Sequence, residues 1–133
     1  GKTIEEILIK RGHQIVFKAD SSRQAKSENL INVDLAFEFS RPEAAFHNIS
    51  ICFDQRIPVV SGTTGWQDRM LDIKTQCTDE GQAFFYASNF SIGVNVFFAI
   101  NKKLAEMLNN YCKFDVKIAE IHHANKLDEP SGT

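Results

Sequence analysis

No apolar run in this chain approaches the roughly 20 residues needed to cross a bilayer as a helix, so no membrane span is expected. Cysteine is scarce. Cys52, Cys77 and Cys112 are an odd number at wide, unpatterned spacings, which fits neither a disulfide framework nor a zinc ribbon. They are expected to be buried small hydrophobes in a reducing cytoplasm. An excess of charge of one sign is also lacking. The 15 basic and 17 acidic side chains give a formal net charge of −2, with no basic stripe of the kind nucleic-acid binding needs. Internal repeats and low-complexity segments are absent. What remains is an ordinary globular composition, 43% hydrophobic and 24% charged over 133 residues, a length that suits roughly one domain of about 100–150 residues. Gly1-Lys2 runs straight into a helical pattern without a leader, and Ser131-Gly132-Thr133 reads as the opening of a further element. The expectation is an excerpt of a longer protein.

The hydrophobic pattern alternates between helix and strand. Residues 2–11 place Ile4, Ile7 and Leu8 at helical spacing, and Gly12 follows as a stop. His13–Ala19 is a short β-prone run ending on Asp20, and Val33–Phe39 is a second. Pro42 and Glu43 then start a helix through Ala45, Ile49, Cys52 and Phe53. Residues 57–60 form a third strand, residues near 70–81 a helix with Met70, Ile73 and Cys77 on its apolar stripe, and residues 83–86 a fourth strand. This order predicts an α/β fold, with a Rossmann-like parallel sheet carrying helices on both faces. From Ser91 the pattern changes to a long helix through Val96, Ile100, Leu104 and Met107, then an alternating strand over 114–121. The expected division is a dinucleotide-binding domain at residues 1–92 and the beginning of a second, α+β domain at 93–133.

In parallel sheets ligands sit at the carboxyl ends of the strands. Polar and glycine residues gather at those ends here: Asp20-Ser21, Ser40-Arg41, Gly62-Thr63-Thr64 and Ala87-Ser88-Asn89-Phe90. Asp20 has the spacing of the acid that meets an adenosine ribose about 20 residues beyond a glycine loop, though an acid starting a turn reads the same way. The loop itself, G-x-G-x-x-G, is absent. Gly62-Thr63-Thr64-Gly65 offers close backbone approach, amides and hydroxyls to a phosphate or carboxamide, and an ordinary tight turn would use the same residues.

The richest segment is residues 120–133. On a strand Glu120 and His122 share a face while His123 points away. Histidine exchanges protons near neutrality, Lys126 is a point charge for an anion, and the Ser-Gly-Thr run suits a carboxylate. A metal site from Glu120, His122 and His123 is disfavoured by the diverging histidines and the lack of H-x-x-x-H, so no metal is expected. A solvated polar loop is the other reading of any single one of these residues.

The run Glu120-Ile-His122-His123-Ala-Asn-Lys126-Leu-Asp128-Glu-Pro130-Ser131-Gly132-Thr133 resembles the E-x-H-H-x-x-K-x-D-x-P-S-G-T signature of the dihydrodipicolinate reductase family. Phe39-Ser40-Arg41-Pro42-Glu43, Gly62-Thr63-Thr64-Gly65 and the segment 87–95 agree in order and spacing, so the resemblance spans essentially the whole chain. It implies reduction, by NADPH or NADH, of the cyclic dicarboxylate 4-hydroxy-tetrahydrodipicolinate to tetrahydrodipicolinate on the diaminopimelate route to lysine, usually in a homotetramer. It further implies His122 as catalytic acid/base and Lys126 as proton donor, with His123, Ser131, Gly132 and Thr133 at the substrate. Asp20 would meet the adenosine ribose. Gly62, Thr63, Thr64, Ala87, Ser88, Asn89 and Phe90 would line the nicotinamide end. Asp20 suits a free 2′-hydroxyl, whereas Ser21, Ser22 or Arg23 would suit a 2′-phosphate, so the choice of cofactor stays open. The family's first strand, most of its pyrophosphate loop and everything after Thr133 have no counterpart in these residues. The competing expectations are an inactive fragment or degenerate relative serving assembly, and another Rossmann-type nicotinamide oxidoreductase.

Overall fold

A computed structural model of the chain describes residues 1–122 and 124. It divides into two compact units, residues 1–87 and residues 88–133. The first holds α1 (Lys2–Lys10), β1 (Ala36–Glu38), α2 (Pro42–Asp54), β2 (Val59–Ser61), α3 (Met70–Glu80) and β3 (Phe84–Tyr86); the second holds α4 (Ile92–Leu108). The strands form a parallel sheet in the order β1-β2-β3, with Ala36, Val59 and Phe84 in register, and Glu38, Ser61 and Tyr86 two residues on. Parallel neighbours need a crossover, and α2 and α3 supply the two.

Local chemistry sets the helix ends. Pro42 at the first position and Glu43 in the first turn start α2. Arg56, at φ +57°, turns the chain so that Ile57 N donates to Cys52 O at 2.9 Å, and Gly81, at φ +70°, ends α3. Ser91 caps α4, its hydroxyl accepting from Val94 N at 3.4 Å.

The core lies on one face of the sheet. Ala45, Ile49, Cys52 and Phe53 of α2, Ile73 of α3, Val59 and Trp66 are buried together, with Ala36, Phe84 and Tyr86 packed against them. Pleating sends Phe37, Val60 and Phe85 to the other face, where Phe37 and Phe85 stay 41% and 60% exposed.

Two expected strands are not strands. Among the described residues, neither His13–Ala19 nor residues 114–121 joins a strand ladder. β propensity describes a fit to a pleated neighbour, and without a ladder the backbone gains nothing from extending. Phe17 still packs on the core from this run, whereas Phe114, Val116, Ile118 and Ile121 are exposed. The remaining expected strands keep their places but shorten or shift to the spans given above. The cysteines also divide: Cys52 is buried, Cys77 half-buried and Cys112 exposed, which corrects the expectation that all three are core residues. Cys112 follows α4 in a turn, where it stays exposed.

Candidate functional site at the carboxyl ends of the strands

The first unit brings three chain segments to the carboxyl edge of its sheet. Beyond the paired residues, Gly62 N donates to Glu38 O at 3.0 Å and Ala87 N to Ser61 O at 3.3 Å, so the ladder runs directly into the turns. Gly62 is required for close approach. A Cβ built there would fall on Phe39 Cε1 and lie 2.8 Å from its Cζ. Gly65, at φ +83°, closes the turn in a conformation that glycine adopts without strain.

Side chains then lock this turn. The Trp66 indole, buried against Phe84 and Tyr86, donates from Nε1 to Thr63 O at 2.6 Å. Gln67 accepts from Gly65 N at 2.9 Å and donates to the Tyr86 hydroxyl at 2.7 Å. Thr63 Oγ1 accepts from Ser40 N at 2.8 Å. Glu38 is 6% exposed, with Oε1 accepting from the Ser40 hydroxyl and Oε2 from the Ser61 hydroxyl at 2.8 Å. Amid this bonding the N–H groups of Thr63 and Thr64 have no acceptor among the described residues. Two adjacent amide donors at the end of a parallel strand suit a carboxamide or phosphate oxygen.

Asp20 is built differently. Its Oδ1 accepts from Ser22 N at 2.8 Å, Ser22 Oγ at 2.7 Å and Arg23 N at 2.9 Å, the self-closing turn that aspartate commonly makes. These bonds, the Ser22 hydroxyl foremost, hold its carboxyl below the ordinary carboxylate range. Oδ2 makes no hydrogen bond among the described residues. Ser21 sits exposed within this turn.

Ala87 ends the first unit, while Ser88, Asn89 and Phe90 open the second. There Asn89 Oδ1 accepts from Ser91 N at 2.8 Å, and Asn95 Nδ2 donates to Asn89 O at 3.0 Å and to Ser91 O at 2.8 Å. The segment is thus fixed onto the first turn of α4. Further along, His122 Nε2 meets Glu120 Oε2 at 2.9 Å. An ionised carboxylate only accepts, so in this contact the His122 ring donates from Nε2. His123, Lys126, Ser131, Gly132 and Thr133 lie outside the described residues.

Two features of the turn were missed in the sequence reading. Glu38 was legible only as an acid alternating with Leu35, Phe37 and Phe39, a pattern that marks it as facing solvent; the structure buries it and leaves Phe37 and Phe39 half-exposed. Trp66 carried no signal beyond its apolar bulk.

The chain matches two family models, "Dihydrodipicolinate reductase, N-terminus" over residues 1–90 and "Dihydrodipicolinate reductase, C-terminus" over residues 93–133. It is also 53% identical, over all 133 of its residues, to the 4-hydroxy-tetrahydrodipicolinate reductase of Christiangramia forsetii, and it spans 56% of that protein's length.

Proposed function

The chain belongs to the dihydrodipicolinate reductase family, and from that premise we propose that it serves the reduction of 4-hydroxy-tetrahydrodipicolinate to tetrahydrodipicolinate by NADH or NADPH, on the diaminopimelate route to lysine. The observation that carries this reading is the 53% identity along every residue to a reductase of that name. Residues 1–92 hold the cofactor, and residues 93–133 open the part that binds substrate and assembles a homotetramer in the cytoplasm.

The roles follow from the chemistry of each group. A nicotinamide held at the carboxyl edge would supply the hydride for this reduction. The Thr63 and Thr64 amides, which have no acceptor among the described residues, offer donors to its carboxamide beside Gly62, and the family resemblance adds Ala87, Ser88, Asn89 and Phe90 as cofactor residues. Asp20 turns its second oxygen to the adenosine ribose, with Ser21 beside it. His122, its ring oriented by Glu120, acts as acid/base at the charge developing on the substrate. Lys126 donates the proton that completes the reduction. His123, Ser131, Gly132 and Thr133 hold the two carboxylates, since amides, hydroxyls and a protonated imidazole all donate hydrogen bonds to anions.

The test is nicotinamide absorbance with the full-length protein. Oxidation of NADH or NADPH that depends on 4-hydroxy-tetrahydrodipicolinate is the expected result. A protein that binds the cofactor and leaves this substrate unreduced would favour another nicotinamide oxidoreductase.

A further inference from the structure

Glu38 is a buried carboxylate with no cation beside it among the described residues. Such a group is costly in a sheet that could carry a leucine at the same point, unless its oxygens are satisfied. Both are satisfied here, and both partners are serine hydroxyls on segments that make the candidate site. Oε1 takes the hydroxyl of Ser40, which in turn accepts from Asn48 Nδ2 of α2 at 3.2 Å. Oε2 takes the hydroxyl of Ser61, 23 residues away in sequence and directly before Gly62.

Around this carboxylate the two turns are joined at further points. Gly62 N donates to Glu38 O at 3.0 Å, and Ser40 N donates to Thr63 Oγ1 at 2.8 Å. Residues 38–40 and 61–63 are therefore fixed to each other by three cross-links, two of which use Glu38 itself. The same arrangement consumes the Gly62 amide and the Thr63 hydroxyl oxygen, and it leaves the next amides, Thr63 N and Thr64 N, without an acceptor among the described residues. Donors that are unpaired and held in place are pre-organised for a ligand oxygen, and pre-organisation reduces the ordering cost of binding.

We infer that Glu38 is a positioning residue of the nicotinamide end: through Ser40 and Ser61 it holds the Gly62-Thr63-Thr64 turn in the shape that presents those two amides to the cofactor. Glu38 touches no cofactor atom in this account and acts only through its serines. The inference rests on the cofactor placement proposed above, and it adds a residue that this placement does not include.

The experiment compares two ligands on the full-length protein by calorimetric titration. NADH carries the nicotinamide carboxamide, whereas ADP-ribose keeps the adenosine, the pyrophosphate and the second ribose and lacks only that ring. Glu38→Leu is expected to weaken NADH by about tenfold, the size of one lost well-placed hydrogen bond, and ADP-ribose by less than about twofold. Glu38→Gln keeps an acceptor, and its amide can donate to a serine hydroxyl that rotates to accept. It is expected to return NADH binding to within about threefold of the parent. If Glu38→Leu fails to fold, Ser61→Ala reads the same contrast, because it removes one hydroxyl partner and leaves the backbone in place. Equal weakening of both ligands would show a general structural role and overturn the inference, as would unchanged NADH binding. Failure of the parent protein to bind NADH or NADPH at all would instead overturn the cofactor reading, so the two failures are told apart.

Discussion

The turn after β2 and the turn at Asp20 were both expected at a dinucleotide, yet they are built on opposite principles. The Gly62 turn is held from a distance. Its partners at Glu38 and Ser40 lie 23 residues away in sequence, and Trp66, Phe84 and Tyr86 close over it. The Asp20 turn closes on itself through bonds two and three residues long, all exposed to solvent. The Glu120–His122 contact is of the second kind, two residues long and on the surface. A turn built from tertiary contacts is rigid because the core would have to move with it. A turn built locally keeps its shape even when the rest of the chain does not, and changes in it stay local.

The largest expected effect sets chemistry against binding. In the full-length protein, His122→Gln should lower kcat by about 10²–10⁴-fold, the contribution typical of an acid/base group, while NADH affinity stays within about twofold. Steady-state kinetics beside fluorescence titration reads both quantities. Loss of cofactor affinity with kcat preserved would reverse the division between the two kinds of turn.

A smaller effect is expected where the tertiary turn is overpacked. Gly62→Ala sets a methyl group against the Phe39 ring and should cost about 1–3 kcal/mol in urea unfolding. Adding Phe39→Ala should return part of that loss, so the double variant should be more stable than the two single effects sum to. Strict additivity would mean that the ring is not what excludes a side chain at Gly62.

The smallest effect belongs to the local turn. Asp20 has a depressed carboxyl pKa, so it contributes stability above the unfolded-state value and loses that contribution as pH falls through the folded-state value. Asp20→Asn keeps an oxygen to accept from Ser22 and Arg23 but removes the titration. Urea midpoints measured from neutral to acid pH should therefore fall slightly less steeply in the variant. An identical slope would show that the turn gains nothing from the charge.

Particular residues show how far the sequence could be read. α2 was legible from Pro42, Glu43 and the spacing of Ala45, Ile49, Cys52 and Phe53, because an amphipathic helix that opens on proline and an acid is specified within its own turns. His13–Ala19 carried an equally good strand pattern and formed none, because a strand is half of a pair and its partner is not written in its own residues. Cys112 looked like the other cysteines, yet only a covering layer makes a cysteine a core residue, and among the described residues none lies over it.

By itself, then, the sequence determined the order of helices and strands, the polar and glycine residues at the strand ends, and the signature at 120–133 that relates this chain to its family. Those are properties of short segments, set by periodicity, capping and residue chemistry over a few positions. Only the tertiary structure decided which β-prone runs found a ladder, that Glu38 is buried between Ser40 and Ser61, and that the Thr63 and Thr64 amides have no acceptor among the described residues. Each of these depends on a hydrogen-bonding group some 23 residues away in sequence or on a neighbouring strand, and no local pattern names that partner in advance.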